Sequence, residues 1–138
     1  KNPTFTIHTL GEGADISDLN ASEIELYKGT VRNRDLLKRA LSEFQKEEVN
    51  HELIGQLLSD HHQVLRDVLR VSTPKIEATM DAALNAGAWG GKINGSGGGG
   101  CMFAYAPNNP KKVAEAIEKV GGRAWIIVGG VGTRLDNS

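Results

Sequence analysis

The stretch Gly87-Ala-Trp-Gly-Gly-Lys-Ile-Asn-Gly-Ser-Gly-Gly-Gly-Gly-Cys101 decides how this sequence can fold. It holds eight of the seventeen glycines in the 138-residue chain. Glycine adopts left-handed backbone angles at little steric cost, so successive N–H groups can turn toward one point. Gly91 to Asn94 forms an extended piece before the glycines, and Cys101 to Ala106 is β-prone after them. We therefore predict two short strands joined by a loop with the geometry of an anion cradle.

The glycine spacing also fits a second kind of loop. Gly95, Gly97 and Gly100 match the G-x-G-x-x-G pattern of dinucleotide-binding proteins. That site needs a helix directly after the glycines, because the pyrophosphate binds at the helix N-terminus. Since a strand is predicted there, we exclude a dinucleotide fold. A flexible hairpin tip or linker is the other alternative, although linkers usually mix serine and polar residues among their glycines.

Length, composition and charge narrow the class of protein. A chain of 138 residues fits one domain, and 39% hydrophobic with 24% charged residues excludes intrinsic disorder. No apolar run approaches the ~18 residues of a membrane span. Sixteen Lys plus Arg against seventeen Asp plus Glu leave a net charge of −1, so we expect neither nucleic acid nor membrane as a partner. One cysteine and no signal pattern lead us to expect a cytoplasmic location.

Periodicity predicts a helical first half and a mixed second half. After a strand at Thr4–Thr9 and a polar connection to about Thr30, helices are expected over residues 33–46, 47–70 and 74–85. Ser72 or Thr73 is expected to cap the third helix. A fourth helix follows Pro110, is closed by Gly121-Gly122 and leads to a last strand at residues 123–128. This order, with the helices placed before a small sheet, predicts an α+β fold.

Three segments carry a resemblance to a known family. Val71-Ser-Thr-Pro-Lys-Ile-Glu77 and the stretch 87–101 resemble the carboxy-terminal half of the GHMP small-molecule kinases, named for galacto-, homoserine, mevalonate and phosphomevalonate kinases. Their third motif reads roughly Gly-Ala-x-Gly-x-Lys-x-Thr-Gly-Ala-Gly-x-Gly-Gly-Cys. His62-Gln-Val-Leu-Arg-Asp67 is similar to the His-x-x-Leu-Arg-Asp stretch of galactokinases. The resemblance extends from about Leu53 to Val128 and implies an α+β, ferredoxin-like fold with a small antiparallel sheet and helices on one face.

The resemblance implies ATP-dependent phosphorylation of a small hydroxylated substrate, a sugar or sugar phosphate, with ATP and Mg²⁺ as cofactors of the complete enzyme. His62 and Lys92 are then candidates for the substrate side of the site. Asn94 stands where the family usually has threonine, and its amide can still donate a hydrogen bond. The residues that inherit phosphate binding are Asn94, Gly95, Ser96, Gly97, Gly98 and Gly99.

A family feature is missing from these residues. The ATP-binding loop of the Pro-x-x-x-Gly-Leu-Gly-Ser-Ser-Ala type, and the catalytic Asp and Lys that accompany it, do not occur in the sequence. The resemblance thus implies a single domain over residues 1–138 that needs an amino-terminal kinase domain, on the same or a separate chain, as its partner. We expect the chain alone to bind no cofactor and to be inactive. A face made to meet another domain could also self-associate, which leaves a homo-oligomer open.

Two further function classes stay open beside the kinase. The first is a stand-alone ferredoxin-like binding or regulatory module, whose glycine loop would hold an anionic metabolite without any chemistry. The second is an interaction domain without a ligand. Binding of nucleotide or sugar phosphate by the folded chain would separate these two classes.

The remaining chemistry-bearing residues have plain structural explanations. On a helical projection His61 lies near the centre of the apolar stripe, so we expect it to be packed, while His62 and His51 lie toward the edges. Asp60, His61 and His62 are consecutive and cannot share one helix face, so no metal site is predicted. Cys101 opens a strand directly after the glycines, so we expect its side chain to be buried against the loop. We do not expect a reactive thiol, because no neighbouring histidine or cation supports a thiolate.

Cationic and aromatic residues near the loop have two interpretations each. Lys92 either brings a positive charge to the phosphate or is a solvated strand residue, and Trp89 either packs against a partner domain or caps the local core. A further basic cluster is interleaved with Asp35 and Glu43, which predicts a solvated helix face. That cluster consists of Arg32, Arg34, Lys38 and Arg39.

Overall fold

The computed structural model describes residues 19–129. Its two strands pair antiparallel, with Gly90 opposite Tyr105 and Asn94 opposite Cys101. The predicted α+β fold and the hairpin around the glycines are confirmed, while the strand predicted at Thr4–Thr9 lies outside the described residues. The elements are α1 (Ala21–Phe44), α2 (His51–Gln63), a π-helical turn (Val64–Val68), α3 (Pro74–Asn85), β1 (Gly90–Asn94), β2 (Cys101–Tyr105) and α4 (Pro110–Lys119).

Helix α1 begins earlier than its apolar periodicity predicts. The Asn20 side chain accepts a hydrogen bond from the Glu23 N–H at 3.1 Å, and the Glu23 carboxylate accepts one from the Asn20 N–H at 2.9 Å. This capping box satisfies two N–H groups at the helix start. The predicted polar connection through Thr30 is therefore wrong, because its last ten residues are helical.

The helix predicted over residues 47–70 is divided and shorter. Asn50 caps α2 by accepting from the Leu53 N–H at 3.0 Å. At the other end, the Leu69 N–H donates to the carbonyl of Val64, five residues earlier, at 3.1 Å. This spacing is that of a π-helix. Arg70 then has a φ of 53°, and this left-handed residue ends the helical path. The turn packs against α1, where a Cβ on Gly29 would lie 2.7 Å from Val68 Cγ1.

Helices α3 and α4 begin and end as the sequence predicts. Thr73 Oγ1 accepts from the Ile76 N–H at 3.3 Å, so Thr73 is the cap and Pro74 opens the first turn. Gly121 closes α4 with a φ of 80°. The two helices share a cluster of small side chains that includes Ala83 of α3 and Val113 of α4. Such small residues let the helices and the hairpin approach closely.

Helix α2 packs directly on β1 through two glycines. A Cβ built on Gly90 would lie 1.8 Å from the Gly55 carbonyl oxygen, and one on Gly55 would lie 2.4 Å from the Trp89 carbonyl oxygen. Helix α3 contacts the same strand through a side chain, since a Cβ on Gly91 would lie 2.7 Å from Met80 Sδ. Ile93 has no exposed surface. The hairpin that carries the glycine loop is therefore held by the helices at backbone contact distance.

The last predicted strand does not form among residues 19–129. Residues 123–128 have no ladder partner there, since β1 and β2 pair only with each other. Trp125 is 73% exposed and Val128 is 90% exposed. A strand needs a neighbour to satisfy its backbone groups, so β-prone composition alone is insufficient. Within the same range no helix combines the length and apolarity that a membrane crossing requires.

Candidate functional site

The glycine loop, residues 95–100, joins the two strands in left-handed conformations. Gly95, Gly97, Gly98 and Gly99 have φ values of 78°, 80°, 74° and 102°. Residues with a Cβ rarely adopt these angles, so the loop backbone requires glycine at each of them. A Cβ on Gly95 or Gly98 would meet nothing within 4 Å. At those two positions glycine is needed for conformation and not for space.

One hydrogen bond fixes the loop to the rest of the domain. The Gly98 N–H donates to the Val71 carbonyl at 2.8 Å. Gly97 lies so close that a Cβ there would be 2.4 Å from the same oxygen. Val71 is itself held, because its N–H donates to the Leu65 carbonyl in the π-helical turn at 3.0 Å. The Gly98 N–H is therefore already hydrogen-bonded within the domain. An anion would have to bind the other backbone N–H groups of the loop.

The base of the loop is more open than predicted. Asn94 and Cys101 face each other at the end of the hairpin, and both are exposed. The prediction that Cys101 is buried is therefore wrong: it begins an edge strand whose outer end no helix covers. Its thiol donates to the Met102 carbonyl at 3.6 Å. Ser96 is also exposed.

A polar network lies behind the segment that anchors the loop. The Glu77 carboxylate accepts from His62 Nε2 at 3.0 Å and from the Ser72 hydroxyl on the same oxygen. Arg66 Nη1 lies 3.5 Å from the other oxygen. Burial alone would raise the pKa of Glu77, but the Ser72 hydrogen bond and the attraction of His62 hold it below its ordinary value. Glu77 is therefore an ionised acceptor that joins three segments.

The structure reverses the predicted roles of the two adjacent histidines. His62 is 4% exposed, whereas His61 is only half-buried. The prediction of an exposed edge position for His62 is wrong, because it lies seven residues after Gly55 and therefore on nearly the same helix face. That face makes the tightest contact with β1. A projection based on apolar side chains misses it, since glycine adds nothing to hydrophobicity.

Lys92 is held against the hairpin. Its Nζ donates to the Ile93 carbonyl at 2.6 Å and lies 5.4 Å from the centre of the Phe103 ring. Burial lowers the pKa of Lys92. Burial also lowers the pKa of His61, and the nearby charge of Lys92 adds to this effect. The freely solvated Lys92 of one interpretation is not what the structure shows.

An aromatic cluster that sequence reasoning missed lies at the opposite end of the hairpin. A ring nitrogen of His51 is hydrogen-bonded to the Tyr105 hydroxyl. Trp89 completes the cluster, with its ring centre 6.3 Å from that of His51 and 6.2 Å from that of Tyr105. Because Gly90 pairs with Tyr105 and Asn94 with Cys101, this cluster lies four register positions from the base of the loop. Trp89 thus packs against local structure, and its contact with a partner domain stays a prediction.

The basic cluster on α1 behaves as predicted. Arg32, Arg34, Lys38 and Arg39 are all exposed. Arg34 pairs with Asp35 at 3.1 Å. Exposed pairs of this kind contribute little to stability. The prediction of a solvated helix face is confirmed for these four cations and Asp35, but it is wrong for Glu43, which is buried and accepts hydrogen bonds from Lys46 and the Asn50 N–H.

The residues present suit a phosphate better than a metal ion. The loop offers exposed glycine backbone without intruding side chains, which fits phosphate oxygens. It contains no carboxylate to bind Mg²⁺. Among residues 19–129 no three His, Cys, Asp or Glu side chains come together as a metal site. The described loop therefore fits a phosphate group, and a metal ion there would need ligands from other residues.

Comparison with known proteins identifies the domain. A family model described as GHMP kinases C terminal matches residues 26–123. The chain belongs to the GHMP kinase family. The matched range begins within α1 and ends just after α4, so it includes the glycine loop, the anchoring segment and the buried network. The resemblance seen in the sequence is thereby confirmed.

Relatives of this GHMP kinase domain include two kinds of kinase. The mevalonate kinase of Pyrococcus furiosus is 49% identical over 62% of this chain and 25% of its own length. That of Thermococcus onnurineus is 43% identical over 75% of this chain and 29% of its own. A galactokinase of Clostridium perfringens is 32% identical over 84% of this chain and 33% of its own. The chain spans about a quarter to a third of these curated relatives.

Proposed function

We propose that this chain supplies the glycine loop of the phosphoryl-transfer site in an ATP-dependent small-molecule kinase. The observation that carries the proposal is a loop with four left-handed glycines, anchored to Val71, in a GHMP kinase C-terminal domain. Phosphoryl transfer is catalysed mainly by positioning and by stabilisation of charge on the transferred group. Backbone N–H groups fixed in a loop provide such stabilisation without the reorganisation that water would need.

Each component of the proposed site has its own role. ATP provides the phosphoryl group, and Mg²⁺ neutralises charge on its phosphates. Asn94, Gly95, Ser96, Gly97 and Gly99 would line the phosphates, with Gly98 holding the loop in place. The partner is an amino-terminal kinase domain, since the chain spans only about a quarter of the mevalonate kinases that it matches. Cytoplasmic location and a homo-oligomer stay predictions.

The acceptor is an alcohol hydroxyl, and similarity favours mevalonate over a sugar. The mevalonate kinases cited above are 43–49% identical to this chain, and the galactokinase is 32% identical. The sugar or sugar-phosphate substrate expected from the motifs therefore stays a prediction to be tested beside mevalonate. His62 does not decide between them, because its buried ring is bonded to Glu77.

The test is a chimera with a relative. The quarter of the Pyrococcus furiosus mevalonate kinase that this chain matches is replaced by residues from this chain, and ADP release is measured with mevalonate and with galactose. We expect turnover with mevalonate by the chimera and none by the chain alone. A folded chimera that releases no ADP with either substrate would contradict the proposed function. ATP turnover by the isolated chain would contradict the need for a partner.

A further inference from the structure

The glycine loop is connected to a partly buried carboxylate, Glu77, through two residues. Ser72 donates to Glu77, and the residue before it, Val71, accepts from the Gly98 N–H at 2.8 Å. His62 fixes the same carboxylate oxygen from α2 at 3.0 Å. The orientation of the Val71–Ser72 peptide is therefore determined on one side by Glu77 and on the other by the loop.

We propose that Glu77 and His62 are positioning residues for the glycine loop and act through Ser72 and Val71. The role of the loop in phosphate binding rests on the proposed function, but the mechanical connection does not. In this proposal neither side chain contacts substrate. It replaces the substrate-side role that the sequence suggests for His62 with one that fits its burial.

The chemistry of Glu77 suits this role. An ionised carboxylate makes shorter and stronger hydrogen bonds than a neutral acceptor. A glutamine at this position would keep the shape but turn one acceptor oxygen into an NH₂ donor. It would then face donors on His62, Ser72 and Arg66 with a single acceptor oxygen. At least one partly buried group would lose its partner, and Ser72 would no longer be held in one orientation.

The close approach of the loop explains how a small shift would be transmitted. Gly97 lies where a Cβ would be 2.4 Å from the Val71 oxygen, so the loop backbone and Val71 are in close steric contact. The Val71 N–H is bonded to Leu65, which prevents the segment from moving as a free strand. Rotation of the Val71–Ser72 peptide would therefore change the geometry of the hydrogen bond from the Gly98 N–H to the Val71 carbonyl.

Amide hydrogen exchange measured by NMR on the 138-residue chain tests the connection. The readout is the exchange rate of the Gly98 N–H relative to that of Gly122, whose N–H donates to the Ile117 carbonyl at the end of α4. We expect Glu77→Gln and Ser72→Ala to accelerate Gly98 exchange about tenfold with Gly122 unchanged. Ser72→Thr keeps the hydroxyl and should restore protection. His62→Gln should give an intermediate acceleration.

A matched control uses Glu43, a buried carboxylate outside this network. Glu43 accepts from Lys46 and from the Asn50 N–H, and Glu43→Gln should leave the ratio of Gly98 to Gly122 unchanged. A Gly98 rate that stays at the wild-type value in Glu77→Gln and in Ser72→Ala would overturn the positioning role. Equal acceleration of both amides would overturn it as well, because it would show general destabilisation. No nucleotide is present, so inactivity of the chimera would affect the proposed function alone.

Discussion

The contact between Gly55 and Gly90 predicts that adding one methyl group will destabilise the whole domain. Both positions belong to regular elements, α2 and β1, where alanine is normally preferred over glycine by about 0.5–1 kcal/mol. Local preference alone therefore predicts that Gly55→Ala and Gly90→Ala are stabilising. The structure predicts the opposite sign, because backbone atoms occupy the space of the new methyl groups.

The magnitude follows from the distances. Real Cβ atoms essentially never approach closer than 3.0 Å, so α2 and β1 must separate by about 1.2 Å in Gly90→Ala and about 0.6 Å in Gly55→Ala. A gap of 0.5–1 Å loses roughly a quarter to a half of the dispersion energy across it. Ile54, Leu57 and Ile93 are buried on these two elements. We expect a loss of about 3 kcal/mol for Gly90→Ala and about 1 kcal/mol for Gly55→Ala, the latter after subtracting the helix preference.

Urea unfolding followed by circular dichroism measures these differences. The control is Gly129→Ala, where a Cβ would meet nothing within 4 Å, and its free energy of unfolding should stay within about 0.5 kcal/mol of wild type. The melting temperature of Gly90→Ala should fall by on the order of 10 °C. A Gly90→Ala protein as stable as wild type, or a more stable Gly55→Ala protein, would refute the backbone contact.

Three further changes test the loop, the Glu77 carboxylate and a helix cap by the same unfolding assay. Gly97→Ala should cost about 1–2 kcal/mol more than Gly98→Ala, because both strain a left-handed residue but only the first meets the Val71 carbonyl; equal losses would exclude that contact. The depressed pKa of Glu77 stabilises the fold above its ordinary value of 4.5, and this contribution is lost as the pH falls. Glu77→Gln should therefore be less stable at neutral pH and lose less stability than wild type between about pH 5 and pH 3; a parallel acid profile would contradict the shift. Asn50→Ala should cost about 1 kcal/mol and Asn50→Asp almost nothing, since aspartate also caps helices; similar losses in both would show that the cap is unimportant.

The parts of the fold that local chemistry determines could be predicted. Thr73 with Pro74 after it is a helix start in any context, and the β-prone residues on each side of the glycines indicate a hairpin. The early start of α1 was also readable, because Asn20 and Glu23 have the spacing of a capping box. The apolar periodicity of α1 begins later than the helix does.

The parts that depend on tertiary contacts could not be predicted. No local signal indicates the π-helical turn at Val64–Val68, which the structure stabilises by packing against Gly29. The burial of His62 follows from a glycine, Gly55, that carries no hydrophobic signal. Residues 123–128 have the composition of a strand. A strand forms only when a second segment hydrogen-bonds to it, and no such segment pairs with them among residues 19–129.

The glycine excess of this chain has two separate physical causes. Gly55, Gly90 and Gly91 lie where a Cβ would collide with neighbouring atoms, and none of the three has a left-handed φ. Gly95 and Gly98 are the reverse, with left-handed φ and open space around the missing Cβ. Alanine in the first group should act on global unfolding, whereas alanine in the second should act on the shape of the loop.

Gly97 belongs to both groups, since it has a φ of 80° and also touches the Val71 carbonyl. It is the position where the packing of the domain and the conformation of the loop meet. The loop of a phosphoryl-transfer site must hold its backbone N–H groups in place before the charge develops. A single contact at Gly97 and Gly98 can do this only if Val71 is itself immobile. That requirement gives the partly buried carboxylate of Glu77, behind Val71, a physical reason to be in this fold.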